Sequence, residues 1–220
     1  MLRAVIFDLD GVIVDSHPAH LQAWKTFFRS IGKRVAEQDL LFILEGQKRE
    51  DILRHFLGDL SEEQVKQYGA KKEALFRDSV PELKTVRGLP EFLDRLYAAG
   101  LPLALASSAS RTRAAYMLEQ LDLKQRFQAV VTGDDVKRGK PDPSIFRLAA
   151  ESLDVAPSHI LVCEDAVSGV EAAKAAGMKC LAIAPNGRGP LLEKAGADRI
   201  VLDFSEASLD DLRGLFAAQA

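Results

Sequence analysis

Three shortages narrow the field before any motif is considered. The 220-residue chain has two cysteines, Cys163 and Cys180, in separate apolar runs. That is too few for a disulfide framework, and both are expected to be small buried residues in a reduced, cytoplasmic setting. Long basic runs are missing, and 29 basic residues against 32 acidic ones leave a formal net charge of -3, so no nucleic-acid partner is expected. Long apolar stretches are missing too. The opening MLRAVIFDLDGVIVD is short and interrupted by acids, and is expected to be neither a signal peptide nor a membrane span. Internal repeats and low-complexity tracts are likewise absent. What is left, 47% hydrophobic and 28% charged, is the composition of an ordinary globular protein. Its length suits one core with a smaller inserted domain.

The apolar residues fall into an alternation. Short runs at Leu2–Leu9, Leu101–Ala106, Ala129–Val131, Ile160–Cys163, Cys180–Ala184 and Arg199–Leu202 read as strands. Helical spacing occupies Leu89–Ala99, Arg111–Leu121, Pro143–Leu153, Val167–Ala176 and Pro190–Ala195. Strands of a parallel sheet are buried on both faces, so they read as continuous apolar runs. The order predicts an α/β fold, a doubly wound, Rossmann-like parallel sheet with helices on both faces. A long stretch after Asp15 breaks the pattern. It carries helical spacing at His17–Ile31, Glu37–Leu44, Arg49–Leu57 and Ser61–Asp78, with Ser61 and Gln64 spaced as a helix-capping pair. The expected organisation is a core over residues 1–15 and 84–220, interrupted by an all-helical cap over residues 16–83. A cleft between two such bodies is where a ligand binds.

Four short segments carry chemistry, and each closes or follows a predicted strand. Ligands in open parallel sheets bind at the carboxyl ends of the strands, so the four should converge. Phe7-Asp8-Leu9-Asp10-Gly11 places two carboxylates on one face of an extended strand. Such a pair repels unless a cation lies between or one member holds a proton. Asp8 held ionised is a nucleophile; a protonated Asp10 is an acid that later serves as a base. Ser107 and Ser108 close the second strand, where a hydroxyl can hold an anionic oxygen beside the free N–H groups of the next helix. In Lys137-Arg138-Gly139-Lys140-Pro141-Asp142-Pro143, the prolines stiffen the turn and keep Lys140 from swinging. A fixed ammonium neutralises anionic oxygen. Glu164 and Asp165 offer hard oxygen ligands suited to Mg2+. Singly, each segment has an ordinary explanation: a solvated Asp-Gly turn, a serine helix cap at Ser110 or its neighbours, a loop lysine, or an acid at a helix N-terminus. Together they make a full set for phosphoryl transfer. The small net charge means that a phosphate-bearing substrate is attracted by local charges, not by the field of the whole molecule.

DLDGVIVD, ASSAS, KRGKPDP and EDAVSG, in that order and spacing, resemble the haloacid dehalogenase superfamily over essentially the whole chain. The helical insert resembles the cap of the beta-phosphoglucomutase-like and phosphoglycolate-phosphatase-like branch. The resemblance implies that Asp8 is the nucleophile and Asp10 the general acid/base. It implies that Ser107 binds the transferring phosphoryl group and that Lys140 orients it and balances charge. Mg2+ is implied at Asp8, the Asp10 backbone carbonyl and Asp165, with Glu164 holding metal-bound water. Asp10 separates the chain from the true dehalogenases, which lack that second aspartate and need no metal. In the cap, Gly46, Arg49, His20 and Lys72 resemble positions of the beta-phosphoglucomutases. There Arg49 is implied to bind the part of the substrate that is not transferred, while His20 and Lys72 lie at the cap hinge. Gly46 and Ser108 join the substrate-binding candidates. Alternatively, His20 covers a helix surface and Arg49 is one charge on a solvated helix. The chain departs from the mutases after the second motif. They continue with serine, a basic residue and asparagine, whereas Ser107-Ser108-Ala109-Ser110-Arg111-Thr112-Arg113 contains no asparagine. Helical spacing points only one of Arg111 and Arg113 into the cleft. The expectation is a monomeric Mg2+-dependent phosphatase acting on small phosphorylated metabolites, sugar phosphates above all, with no membrane partner. A beta-phosphoglucomutase is the alternative. A non-catalytic binding protein on the same fold is disfavoured, because all the catalytic residue types are present.

Overall fold

The computed structural model describes residues 1–79, 83–185 and 187–217. Its centre is a sheet of six parallel strands: β1 (Ala4–Phe7), β2 (Leu103–Ser107), β3 (Ala129–Thr132), β4 (Ile160–Glu164), β5 (Lys179–Ile183) and β6 (Arg199–Val201). They lie in the order β3-β2-β1-β4-β5-β6, with β1 registered against both β2 and β4. All six expected runs became strands. The helices are α1 (His17–Ser30), α2 (Arg49–Leu57), α3 (Glu62–Ser79), α4 (Leu89–Ala98), α5 (Arg111–Gln120), α6 (Ser144–Leu153), α7 (Val167–Ala175), α8 (Gly189–Lys194) and α9 (Leu209–Gly214).

Alternation along each strand explains the two helical layers. Val5 and Phe7 of β1, with Leu161 and Cys163 of β4, enter a cluster with Phe92, Met117 and Leu212 of α4, α5 and α9. Ala4 and Ile6, with Ile160 and Val162, enter the opposite cluster with Phe146, Val170 and Leu192 of α6, α7 and α8. Phe7 packs edge-to-face with Phe92 and Phe127 at 6.2 and 6.0 Å between ring centroids; a fully buried ring such as Phe7 or Phe92 contributes about 1.5–3 kcal/mol. Cys163 and Cys180 are free, buried and on opposite faces of the sheet.

Helices α1, α2 and α3 have an apolar core of their own, built on Trp24, Phe27 and Phe28 against Ile52, Leu53 and Val65. Ser61 and Gln64 cap α3 reciprocally, amide to side chain in both directions, at 2.9 and 3.2 Å. The expected helix at Glu37–Leu44 is instead a short 3-10 segment, Asp39–Leu44. Its entry is closed by bonds over three residues, Asp39 N to Ala36 O and Leu40 N to Glu37 O. The tighter winding aligns Leu40 with Ile43, three residues apart, and sends both into the insertion's core. The short α9 was not expected. Where the chain leaves and re-enters the sheet layer, the two crossings are bonded together: Asp15 N to Lys84 O and Val86 N to Ile13 O, both 3.0 Å. No described helix is long and apolar enough to cross a membrane.

Candidate active site

Parallel register decides what stands beside Asp8. Phe7 pairs with Leu105 and with Cys163, and the Asp8 amide donates to the Cys163 carbonyl at 3.0 Å. Asp8 is therefore flanked by the ends of β2 and β4, where the strand order reverses and open parallel sheets leave a crevice. Asp8, Asp10, Ser107, Ser108 and Asp165 line one cavity of about 80 Å³ there, and Gly46, Arg49, His20 and Lys72 of the insertion line it too. This is well below the volume of a typical small-molecule site, because the insertion is drawn down onto the core. Ser108 Oγ donates to the Gly46 carbonyl at 2.7 Å, Lys48 Nζ to the Val136 carbonyl at 3.0 Å, and Ser168 Oγ to the Glu45 carbonyl.

Lys140 and Glu164 stand one layer behind. Lys140 Nζ donates to Asp8 Oδ1 at 2.6 Å and to Glu164 Oε1, and its side chain is 1% exposed. Burial opposes its charge, but the two carboxylates carry it above the usual lysine value. Glu164 Oε2 accepts from the amides of Asp165 and Ala166 at 2.7 and 2.8 Å. Expected beside metal-bound water, Glu164 instead has both oxygens engaged by Lys140 and by the entry to α7. A lysine buried this deeply needs the second anion.

Their surroundings push the cavity carboxylates in opposite directions. Burial pushes the Asp8 carboxyl up to about 8, Lys140 pulling against it and Glu164 and Asp10 adding to it. Burial also raises Asp165, against its contact with His17, whose Nε2 is 3.0 Å from Oδ2. For Asp10, burial again favours the neutral form but loses. Arg113 Nη2 donates to Oδ2 at 2.7 Å, His20 Nε2 is 3.0 Å from Oδ1, and Ser16 Oγ donates to Oδ1 at 2.6 Å. These hold Asp10 well below the usual carboxylate range. Burial, and then the neighbouring Lys72, push His20 down to about 3, so its ring is neutral. Its Nδ1 lies 3.0 Å from Lys72 Nζ, and its Nε2 faces both Asp10 Oδ1 and Arg113 Nη1. Burial and Arg113 bring Lys72 itself down to about 7.

Could these groups hold a cation? Lys140 engages Oδ1 of Asp8 and His17 engages Oδ2 of Asp165; each carboxylate keeps a second oxygen with no donor among the described residues. Two buried carboxyls pushed toward neutrality form a hard-oxygen pair short of positive charge, which suits a divalent ion. Gly11, at φ +75°, permits the close approach, because a Cβ there would lie 2.3 Å from Asp165 Oδ2. Among the described residues no three acidic, histidine or cysteine side chains form a closed cage. The donor set therefore fits an ion that keeps several of its waters, as Mg2+ does.

Ser107 is buried, and its Oγ accepts from the Ala109 amide at 3.2 Å. The helix cap is Ser110, whose Oγ accepts from the Arg113 amide at 3.4 Å, so the two serines have separate tasks. Of the two arginines in that segment, Arg111 turns to Asp135 at the surface, whereas Arg113 enters the cavity. Sequence reasoning did not single out Ser16 or His17, nor assign Arg113 to Asp10. Arg113 did leave a signal: it stands in the first turn of a helix, where the macrodipole disfavours a cation.

Residues 5–183 match the family described as haloacid dehalogenase-like hydrolase, and the chain belongs to that family. It is 36% identical over 190 residues to a phosphorylated carbohydrates phosphatase of Thermotoga maritima, covering 81% of the chain and 83% of the relative. Over 220 residues it is 34% identical to a beta-phosphoglucomutase of Bacillus subtilis, covering 95% and 93%. A solved structure, a HAD hydrolase, family IA, variant 3, from Entamoeba histolytica, has a TM-score of 0.87 at 26% identity, over 98% of this chain and 99% of that one. The class expected from the four strand-end segments, a phosphoryl-transfer enzyme of this family, is the class its relatives define.

Proposed function

We propose that this protein is a Mg2+-dependent phosphatase that hydrolyses small sugar phosphates through an aspartyl-phosphate on Asp8. The observation that carries the reading is the setting of Asp8. It lies at a buried strand end, with one oxygen tied to Lys140, on the same cavity as Asp10, Ser107 and Asp165. Asp8, Asp165 and the Asp10 carbonyl would hold the ion, which when bound supplies the positive charge that keeps Asp8 anionic and offsets the phosphoryl charge.

In this mechanism the Asp8 carboxylate attacks phosphorus in line with the leaving oxygen. The Ser107 hydroxyl and the Lys140 ammonium stabilise the phosphoryl oxygens as their charge redistributes. Asp10 gives a proton to the leaving oxygen. It then takes one from the water that attacks the aspartyl-phosphate, which frees inorganic phosphate and restores Asp8. The ionised Asp10 of this structure is the form needed for the second step. The first step needs the Arg113 contact to give way as Asp10 takes up a proton. Glu164 acts through Lys140. Opening and closing of the cap, residues 16–83, over the core, residues 1–15 and 84–220, admits substrate and excludes bulk water. The protein works as a monomer in the cytoplasm, a setting that suits its free buried thiols.

A mutase is the second reading, favoured by Arg49, His20 and Lys72 at the cavity and by the Bacillus relative. A mutase must hold a second phosphate while the first is transferred. Of the cations after Ser107 within reach of that role, Arg111 is engaged with Asp135 and Arg113 with Asp10, which supports the phosphatase. The test follows free phosphate and glucose 6-phosphate in parallel, starting from beta-glucose 1-phosphate with trace bisphosphate and a panel of other sugar phosphates. Net phosphate release with little glucose 6-phosphate is expected. Glucose 6-phosphate forming much faster than phosphate would replace the phosphatase with the mutase.

A further inference from the structure

Helix α3 contains a glycine for which its backbone gives no reason. Gly69 lies inside the 18-residue α3 (Glu62–Ser79) and is buried. It does not adopt the left-handed backbone conformation that makes glycine necessary at Gly11. Glycine inside a helix costs about 1 kcal/mol relative to alanine, so something other than local conformation must favour it. That something is space. A Cβ at Gly69 would lie 2.6 Å from Nε, 3.0 Å from Cζ and 3.2 Å from Cδ of Arg49. The stem of Arg49, from α2, lies where the side chain of residue 69 would be.

Arg49 is unusual in its own right. Its Nε is buried and has no hydrogen-bond partner among the described residues. It lines the Asp8 cavity and also a small adjoining cleft with Ser108, Ser110 and Asp134. An arginine so placed, with its stem against α3 and no partner for Nε among the described residues, is arranged to receive a ligand in the cavity that Asp8 also lines.

We propose that Gly69 is a specificity-determining position. By lacking a side chain it gives the Arg49 stem a berth against α3, and this sets how far the guanidinium projects into the cavity and how long a substrate fits beneath it. The inference rests on the phosphatase reading only in taking Arg49 to face the substrate. A methyl at residue 69 must push Nε from 2.6 Å to ordinary contact, a shift of roughly 1 Å. Misplacements of that size cost roughly 10- to 100-fold in catalytic efficiency.

The experiment compares wild type, Gly69→Ala, Arg49→Ala and the double variant. The readout is the ratio of kcat/KM for a sugar phosphate to kcat/KM for an aryl phosphate too short to reach Arg49. Gly69→Ala should lower that ratio roughly tenfold, mainly through KM, without lowering the thermal unfolding midpoint, since alanine favours the helix. In the Arg49→Ala background the same substitution should leave the ratio unmoved. An equal drop with and without Arg49 would assign Gly69 to helix packing and overturn the inference, as would an unchanged ratio in Gly69→Ala. Calorimetric binding of the sugar phosphate in an Asp8→Asn background repeats the comparison without turnover. Affinity that depends on Gly69 only when Arg49 is present, together with no phosphate release by the protein that keeps Asp8, would keep the inference and sink the phosphatase. Phosphate release from sugar phosphates with no Gly69 effect would do the reverse.

Discussion

Replacing Lys140 by alanine removes the cation that Asp8 and Glu164 share. Removing one partner of a buried ion pair costs about 3–5 kcal/mol, because the remaining charge stays desolvated. Two features place this site near the lower end. Glu164 keeps its two amide bonds, and Asp8, already raised to about 8, can take up a proton. A loss of about 3 kcal/mol in a chain of this size lowers the unfolding midpoint by about 6–12 °C. Activity should fall by about 10²–10³-fold, the usual effect of losing one aimed electrostatic group. Thermal unfolding without Mg2+ and steady-state kinetics with it read the two effects separately. A control divides fold from chemistry: Lys140→Met combined with Glu164→Gln keeps the volume and removes the stranded acid, and the amide oxygen still accepts from the entry to α7. It should regain most of the lost midpoint and none of the activity. If Lys140→Ala melts within about 2 °C of wild type, the pair does not hold the site together. If the double variant recovers turnover, Lys140 is structural only.

Asp8→Asn should remain folded and lose turnover, since an amide cannot serve as the anionic nucleophile; substantial phosphate release by the undeamidated variant would remove the aspartyl-phosphate from the mechanism. Asp165→Ala should raise the Mg2+ concentration for half-maximal activity at least about tenfold, and full activity after exhaustive chelation, verified by metal analysis, would show that no ion is needed. Asp198, outside the site, tests the electrostatics of the sheet. Burial opposes its charge, but Lys174 and Lys179, at 2.6 and 2.9 Å, and the Cys180 amide at 2.8 Å, hold it below the usual carboxylate value. A carboxyl lowered by folding adds stability above its unfolded pKa, and that contribution is lost as pH falls through the folded value. Asp198→Ala should therefore cost about 1 kcal/mol near neutrality, since both lysine partners are partly exposed and solvent screens them, and urea unfolding should show the gap from wild type closing in acid; a gap that persists unchanged would refute the charge argument.

The sheet was legible in the sequence because a strand buried on both faces has no polar side to interrupt it. Residues 4–7, 103–107 and 160–164 are apolar runs for that reason, and their ends announced Asp8, Ser107 and Glu164. Local signals were legible as well: Ser61 with Gln64 forms the expected cap. Where local preference was weak it misled. The Glu37–Leu44 stretch took a tighter winding because its leucine and isoleucine had to reach the insertion's core, and α9 was too short to show a period. The specific hydrogen-bond partners of the site residues were not legible from spacing. Arg113 meets Asp10 across 103 residues of chain, Lys72 meets His20 across 52, and Lys140 meets Asp8 across 132. No spacing rule spans such separations, because they depend on how α5 and the inserted helices α1–α3 are set against the strand ends. The sequence by itself determined which side chains stand at the ends of the strands, since hydrophobic periodicity and strand direction are local properties. Only the tertiary structure decided their charge states, and which of them face the cavity, because burial and the placement of one cation beside each carboxylate are properties of the packed whole.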